Sequence, residues 1–144
     1  MSQMTDVAEN WFIDNVIRGA GTAPPSTWSF RLYTASPGEA GGGTEASYTG
    51  YAAATAAASL SNFAGTQGAG TTTASTGTGG QTSNNNLLTF GTTCTAGGPQ
   101  TVTSLAWCSG TTAWFYGPLT QSRTINNGDV APTAPAASLQ LTAS

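Results

Sequence analysis

The feature that most constrains the fold is a series of short segments in which apolar and polar residues alternate, separated by turns rich in Gly, Pro and Asn. The clearest segment is TWSFRLYT, residues 27–34, where Trp28, Phe30 and Leu32 occupy every second position. A period of two places these side chains on one face of a half-buried β-strand. Further strands are predicted in the ranges 50–57, 84–95, 101–110, 111–119 and 137–143. Short strands with Gly-rich turns between them predict an all-β domain, a β-sandwich or a jelly-roll-like fold.

One dipeptide in the chain is a strong turn signal. Asn127-Gly128 lies within SRTINNGDV, between two apolar segments. Asn-Gly favours a type I′ turn because both residues readily adopt positive φ angles. The pair therefore predicts a β-hairpin at this point.

The N-terminal segment has the pattern of an α-helix. Residues 6–19, DVAENWFIDNVIRG, begin with Asp6 and Glu9 in a capping-box-like arrangement. The apolar stripe comprises Ala8, Phe12 and Val16 on one ridge, with Ile13 and Ile17 beside it. Such a stripe is normally the side of a helix that faces the core. Trp11 lies outside the stripe, next to Val7, and is either covered by a neighbouring part of the chain or an anchor for another subunit.

The chain is predicted to form a single domain over residues 1–144. It divides into an N-terminal helix with a Pro-containing loop, 1–26, and a β-sandwich, 27–144. Within the sandwich, residues 65–86 are of low complexity, being mostly Gly, Thr, Ser, Gln and Asn. Such composition is typical of a flexible linker. In an all-β domain it can instead hold a short Thr-rich strand and a long surface loop.

The scarcity of charge excludes several function classes. Charged residues make up 6% of the chain, the formal net charge is −3, and the chain contains neither Lys nor His. A nucleic-acid-binding protein needs clustered basic residues, and so does a membrane-surface protein. His-based catalytic triads and most zinc sites are excluded as well. We therefore expect a protein that is not an enzyme, binds no nucleic acid and no membrane, and uses no cofactor or small-molecule substrate.

The two cysteines allow at most one disulfide bridge. Cys94 and Cys108 are too few for the disulfide framework of a small secreted protein. Two buried free thiols acting as small hydrophobes are the favoured alternative. The first ten residues carry neither a basic region nor an apolar run, so we expect no signal peptide and no transmembrane span.

Carboxylates and aromatic residues are the side chains in this sequence that could form a binding or catalytic site. Glu39, Glu45 and Asp129 could bind calcium, and the same residues, or Asp6 and Asp14, could act as paired catalytic carboxylates. The EF-hand spacing is absent, and Asp6 and Asp14 lie on a helix of structural character, so no metal or catalytic site is predicted. A set of aromatic residues could either bind sugars or pack in the core: Trp107, Trp114, Tyr116, Tyr48 and Tyr51.

The Gly-rich stretch SPGEAGGGTEAS, residues 36–47, resembles a phosphate-binding loop only superficially. The stretch lacks the Lys and the following helix that such loops require. We expect the stretch to turn the chain from one strand to the next, with positive φ angles in the run of three glycines. Gly42→Val is accordingly expected to harm folding or assembly. Glu39 and Glu45 are expected to be solvated charges at the rim of the loop.

The order of several motifs resembles a widespread family of small bacteriophage virion proteins, which includes tail fibre proteins and capsid decoration proteins. The similar segments are NVIRG, TWSFRLYT, ASPGEAGGGTEAS, GYA, SNNNLLTF, WFYGPL and NNGDV, which together extend over nearly the whole chain. The resemblance implies a structural role in the virion, and it carries no catalytic residues with it.

Of the roles that the resemblance implies, the leading one is a capsid decoration (cement) protein. Such a protein would bind the major capsid protein lattice on the head exterior as a homo-oligomer, after assembly in the bacterial host cytoplasm. The alternative is a tail or head-fibre component with a host-adhesion role, and a carbohydrate-binding module is the third possibility. Val7, Trp11, Glu39 and Glu45 are the residues predicted to contact a subunit or the capsid.

Overall fold

A six-stranded antiparallel sheet organises residues 3–142, the part of the chain that the computed structural model describes. The elements are β1 (Gln3–Met4), α1 (Asp6–Phe12), a π-helical turn (Ile13–Ile17), β2 (Thr27–Ala35), β3 (Thr44–Glu45), β4 (Ala54–Ala57), β5 (Gln81–Ser83), β6 (Leu88–Thr89), β7 (Gln100–Ser109), β8 (Thr112–Ile125), β9 (Thr133–Ala134) and β10 (Gln140–Thr142). The predicted all-β class with one N-terminal α-helix is confirmed. The predicted strand at 84–95 is shortened to β6.

The strand order of the large sheet is β1-β8-β7-β2-β3, and β4 also pairs with β2. The central strands β2 and β7 pair Phe30 with Trp107 and Leu32 with Leu105. Two further antiparallel pairs, β5 with β10 and β6 with β9, form the second layer. This arrangement buries one face of the large sheet.

The main core lies between the large sheet and the two small pairs. The predicted alternation in β2 is confirmed, since Phe30 and Leu32 are buried and Trp28 packs against them at the edge of the core. The rings of Phe30 and Trp107 meet edge to face with their centroids 4.9 Å apart. Such contacts between large aromatic side chains stabilise the core beyond the area that they bury.

The opposite face of the large sheet carries a second buried cluster, which comprises Tyr33, Ala106, Cys108, Ala113 and Tyr116. The first turn of α1 lies over this face. Burial raises the pKa of Tyr116, and the neighbouring charges of Glu39, Asp6 and Glu9 raise it further. The small sheets therefore lie on one face of the large sheet and the first turn of α1 on the other.

The helical segment differs from its prediction in two respects. The α-helix ends at Phe12 and continues as a π-helical turn to Ile17, after which Gly19 adopts a φ of +68°. Ala8 is buried, but the rest of the predicted core stripe is exposed. The expectation that the stripe faces the core is thus wrong, because the helix turns its Trp11 side toward the protein instead. Within residues 3–142, none of the helices is long and apolar enough to cross a membrane.

The Asn127-Gly128 turn forms, but it does not connect two paired strands. The Asp129 N–H donates to the Asn126 carbonyl at 3.1 Å, and Gly128 has a φ of +93°. The following strand, β9, pairs with β6 rather than with β8. The hairpin prediction is therefore wrong. The Asn127 side chain accepts the Gly98 N–H at 2.9 Å, so the turn is tied to a distant loop.

The low-complexity stretch 65–86 contains a surface loop followed by strand β5, which agrees with the second of its two interpretations. Polar side chains hold the loop together. The Gln67 amide donates to Thr73 Oγ1 and to the Ala74 carbonyl, each at 3.1 Å, and its Oε1 accepts the Thr76 N–H at 3.2 Å. Such side chain to backbone bonds stabilise turns in Ser-, Thr- and Asn-rich sequence.

The Gly-rich stretch is the loop of the β2–β3 hairpin. Gly41 and Gly43 have φ angles of +72° and +87°, as expected for a run of glycines that turns the chain. Gly42 is different, since a Cβ there would meet only the Pro37 carbonyl oxygen, at 3.8 Å. The expectation that Gly42→Val harms the fold is therefore corrected, and Gly43 is the constrained position.

Candidate assembly surface

The N-terminal helix is attached to the edge of the sheet through its first residues. The Thr5 N–H donates to the Trp114 carbonyl at 2.9 Å, and Thr5 Oγ1 donates to the Ala113 carbonyl at 2.7 Å. The Asp6 N–H donates to the Glu39 carbonyl at 3.0 Å. The hairpin loop thus satisfies one of the free N–H groups at the start of α1. Glu39, a predicted contact residue, lies beside the helix with its side chain exposed.

Trp11 is covered by the protein's own side chains, as one of its two interpretations predicted. Its ring centroid lies 5.6 Å from that of Trp114, which in turn lies 5.7 Å from that of Trp28. The Trp11 Nε1 atom is buried and finds no acceptor among the described residues. Its neighbour Val7, also a predicted contact residue, is 45% exposed. Whether either residue touches a partner stays a prediction.

Four apolar residues at the end of the helical segment form an exposed surface, here called the helix patch. The patch consists of Phe12, Ile13, Val16 and Ile17, which are 47%, 48%, 55% and 70% exposed. The π-helical turn that carries three of them packs extensively only on α1 among the described elements. Large apolar side chains grouped on a protein surface mark an interaction site more often than scattered ones do.

Glu45 is not the solvated rim charge that the sequence predicted. Its carboxylate accepts two hydrogen bonds from Arg31 Nη1, at 2.9 and 2.8 Å, and one from the Tyr51 hydroxyl at 2.8 Å. The Tyr51 oxygen also accepts the Leu32 N–H at 3.0 Å, at the position of β2 that lies between its pairings with β4 and with β3. The prediction fails because β3 pairs with β2 and brings Glu45 onto Arg31. Burial lowers the pKa of Arg31, but the bond and charge of Glu45 outweigh this and raise it overall.

Both cysteines are buried free thiols, which confirms the favoured alternative. Cys108 lies in the second cluster beside Tyr33. Burial raises the pKa of Cys108 to about 11 and that of Tyr33 to about 12. These groups stay protonated across the neutral range, so they act as packing groups in this part of the fold.

The buried phenols and thiol predict that the protein loses stability in alkali. Tyr33, Tyr51 and Cys108 have raised folded-state pKa values, mainly because of burial. Their unfolded forms release protons first, so the free energy of unfolding falls as the pH rises from roughly 9 to 12. Thermal unfolding followed by circular dichroism should show a lower Tm at pH 11 than at pH 8. Tyr33→Phe should flatten this dependence, whereas an unchanged Tm over the range would contradict the prediction.

A second apolar surface, here called the aromatic pocket, has Trp28 in its wall, and the ring of Trp28 meets Trp114, the residue on which Trp11 packs. The pocket has a volume of about 560 Å³, and its apolar wall includes Trp28, Leu60, Phe63 and Phe115. The described residues that line it carry no charged side chain. Leu60, at the rim, is 55% exposed. The size lies within the usual range of ligand pockets, about 300–1,000 Å³.

The five aromatic residues considered for sugar binding do not form an exposed platform. Trp107, Tyr48 and Tyr116 are buried, and Tyr51 and Trp114 are partly buried with their own partners. Core packing, the alternative for Trp107, is confirmed. Among residues 3–142, no group of three or more His, Cys, Asp or Glu side chains is placed to hold a metal ion.

The helix patch and the aromatic pocket are the surfaces that sequence reasoning missed. The apolar stripe itself was visible in the sequence, but nothing showed which side of the helix faces the sheet. The residues of the pocket come from β2, β5, β7, β8, β10 and the segment between β4 and β5. Only the tertiary structure brings these residues together.

A small β protein with few charges and an apolar helix face turned outward has the features of a structural subunit. A family model described as "Podophage GP4 fiber I protein gp80" matches residues 3–142, so this chain belongs to that family. The resemblance to small phage virion structural proteins is thereby confirmed. None of the curated proteins matches the chain.

Proposed function

We propose that this protein is a structural subunit of a phage fibre and that the helix patch joins it to another virion subunit. The observation that carries the proposal is the outward orientation of Phe12, Ile13, Val16 and Ile17. Burying apolar surface contributes roughly 25 cal/mol per Å². A partner that covers these side chains therefore stabilises the contact. The description of the family as a fibre protein supports the fibre role over other positions in the virion.

The distribution of charge around the patch also supports a contact between proteins. Asp14 and Arg18 form an ion pair at 2.7 Å on the same helical segment, so their charges are already compensated. A partner can cover the neighbouring apolar side chains without burying an unpaired charge, which would be costly. A mixed surface of this kind, with an apolar centre and polar surroundings, resembles the anatomy of protein interfaces. The proposed role is structural and involves no catalysis.

Phage particles test the proposal directly. Antibody-gold labelling of purified virions should place the wild-type protein on fibres. Ile17→Asp should reduce its amount in the particles by at least about tenfold, because a buried unpaired charge costs more than 1.4 kcal/mol. Val130→Asp is the matched control, since Val130 is 69% exposed and lies outside the patch. Equal incorporation of the two variants would contradict the proposed role of the patch.

A capsid decoration protein on the head exterior is the second candidate. The observation that favours it is the charge-poor surface, which suits broad contacts with the major capsid protein lattice. Binding to the assembled shell would stabilise the shell by mass action. Gold label spread over the head, in many copies, would support this candidate and overturn the fibre role. Particles without the protein would then also release DNA at a lower temperature.

A further inference from the structure

We propose that Asn127 is a deamidation site that the fold keeps closed, and that it reacts only when the turn at residues 126–129 separates from the loop at residues 94–98. Asn127-Gly128 is the one Asn-Gly pair in the sequence. Asn is among the chemically labile residues of proteins. The inference goes beyond the proposed function and does not depend on where the protein lies in the virion.

Deamidation at this pair needs only the chain itself, hydroxide and water. The Gly128 backbone nitrogen gives its proton to hydroxide and attacks the Asn127 Cγ atom. The new bond closes a cyclic imide, and the side-chain nitrogen leaves as ammonia after it takes a proton from water. Water then opens the imide at either carbonyl and leaves aspartate or isoaspartate, with no oxidation or reduction. Glycine favours the attack because it has no Cβ atom to crowd the approach of its nitrogen.

Burial does not protect the pair from this reaction. Asn127 is exposed, and so are Asn126 and Gly128 on either side of it. Hydroxide and water can therefore reach the turn in the folded protein. Any protection must come from the hydrogen bonds that hold the two reacting groups.

The attacking nitrogen is held by a backbone hydrogen bond. The Gly128 N–H donates to the Cys94 carbonyl at 2.7 Å. This bond opposes the loss of the amide proton and directs the N–H toward Cys94 rather than toward solvent. The attack on Asn127 Cγ therefore requires the bond to break first, in a local opening of the fold.

The side chain under attack is held by the same loop. Asn127 Oδ1 accepts the Gly98 N–H at 2.9 Å and lies 3.7 Å from the Cys94 sulfur. A donor at this oxygen would stabilise negative charge that develops there during an attack. It gives no assistance in the closed state, however, because the Gly128 nitrogen is bound to Cys94.

Further bonds make the separation of turn and loop a single event. The Cys94 N–H donates to the Asp129 carbonyl at 2.9 Å, and Cys94 is 0% exposed. Within the turn, the Asn126 N–H donates to Asp129 Oδ2 at 2.8 Å. The turn therefore moves away from the loop as a unit or not at all. When such opening is fast and the chemistry is slow, the rate of reaction follows the population of the open state.

Deamidation of the purified full chain in mildly alkaline buffer tests the inference, with mass mapping of the peptide that contains Asn127. The native protein is expected to react at this residue at least about tenfold more slowly than the same chain unfolded in urea, because the hydrogen bonds must break first. Hydrogen exchange at the Gly128 amide should be slowed as well. Equal rates of deamidation in the native and the unfolded protein would overturn the inference.

Gly98→Ala is designed to separate the turn from the loop. A Cβ at residue 98 would lie 2.9 Å from the Asn127 nitrogen and from the Ile125 carbonyl oxygen, and 3.0 Å from Asn127 Oδ1. We expect Asn127 to deamidate at least about fivefold faster in this variant than in the native wild type, because the crowding favours the open state. Gly42→Ala is the matched control, since its Cβ would meet only the Pro37 carbonyl oxygen, at 3.8 Å. The control should deamidate like the wild type.

Circular dichroism distinguishes a local opening from general unfolding of Gly98→Ala. Faster deamidation with a wild-type spectrum supports the inference. A wild-type spectrum with fast exchange of the Gly128 amide but unchanged deamidation would show that the bond to Cys94 does not control the reaction, and would overturn it. If the variant unfolds, the comparison of native and urea-unfolded wild type decides, since it needs no substitution.

Discussion

Replacing Gly43 with Val is expected to lower the free energy of unfolding by about 2–6 kcal/mol. Gly43 has a φ of +87°, where a β-branched residue is strained by roughly 1–3 kcal/mol. A Cβ at this position would also lie 2.5 Å from the Ala35 carbonyl oxygen, 2.6 Å from that of Ser36 and 2.7 Å from the Pro37 nitrogen. These are backbone atoms, so relieving the overlap requires the β2–β3 hairpin to move, at a further cost of about 1–3 kcal/mol.

The neighbouring glycine provides a matched control for this substitution. Gly42→Val introduces the same side chain one residue earlier, where φ is ordinary and the Pro37 carbonyl oxygen lies 3.8 Å from the added Cβ. We expect it to change the free energy of unfolding by less than about 1 kcal/mol. Urea unfolding of both variants measures the difference. Equal destabilisation by the two substitutions would show that the loop tolerates neither side chain for some reason other than backbone geometry.

The Gly43→Val substitution should also weaken the attachment of α1 to the hairpin loop. The Glu39 carbonyl in this loop accepts the Asp6 N–H at the start of α1. A displaced loop would leave that N–H without its partner and loosen the attachment of the helix. Faster amide exchange at Asp6 in Gly43→Val, but not in Gly42→Val, would reveal this coupling.

Asn84→Ala is expected to lower the free energy of unfolding by about 2–4 kcal/mol. Asn84 is 2% exposed, and its amide donates to the Asn86 carbonyl at 2.9 Å and to the Pro135 carbonyl at 2.8 Å. Its side-chain oxygen accepts the Leu139 N–H at 2.9 Å. Removing the side chain takes away these three hydrogen bonds to partly buried backbone groups, at about 0.5–1.5 kcal/mol each. The C-terminal strand β10 should detach more readily as a result.

Asn86→Ala is the control for this second prediction. Asn86 is exposed, and its side chain bonds to Asn62 Oδ1 at 3.0 Å on the surface. Its loss should cost less than about 1 kcal/mol. Chemical unfolding of both variants checks the ranking. A cost for Asn86→Ala as large as that for Asn84→Ala would contradict the proposed role of burial.

Much of the β architecture could be predicted from local sequence. The alternation of Trp28, Phe30 and Leu32 is a direct consequence of one face of β2 packing on the core. The strands β7 and β8 were likewise recognisable, because aromatic and β-branched residues follow one another there between Gly-containing turns. These strands depend on residues that are close together in the sequence, so they can be predicted without knowledge of the fold.

Three sequence predictions are wrong because contacts between residues far apart in the chain override the local pattern. The apolar stripe of the helix was expected to be buried, but Trp11 packs on Trp114, more than a hundred residues away, and this turns the stripe outward. The Asn127-Gly128 turn was expected to join paired strands, but Asn127 bonds to Gly98 instead. Glu45 was expected in solvent, but sheet pairing places it against Arg31. The spacing of apolar residues in the sequence carries no information about such long-range contacts.

For the helix patch, too, the sequence shows the pattern and the tertiary structure determines its exposure. The residues of the helix patch, Phe12, Ile13, Val16 and Ile17, form a helical pattern that is visible in the sequence. Their exposure depends on which side of α1 packs against the sheet. The aromatic pocket likewise combines residues as far apart in sequence as Trp28 and Leu141. Local sequence signals predict contacts at Val7, Trp11, Glu39 and Glu45. The first three lie on or beside α1, whereas Glu45 is paired with Arg31 in the sheet.

By itself, the sequence determined the all-β class, the N-terminal helix, the shortage of charge and the family resemblance, because composition and short periodicity are local properties. It also contains two triplets of identical residues, Gly41–Gly43 and Asn84–Asn86, of which the first was expected to turn the chain. Only the tertiary structure decided which member of each triplet is constrained. Gly43 meets the backbone of β2, and Asn84 meets the C-terminal segment. Identical neighbours in sequence differ in their spatial contacts, and those contacts set the energy of each position.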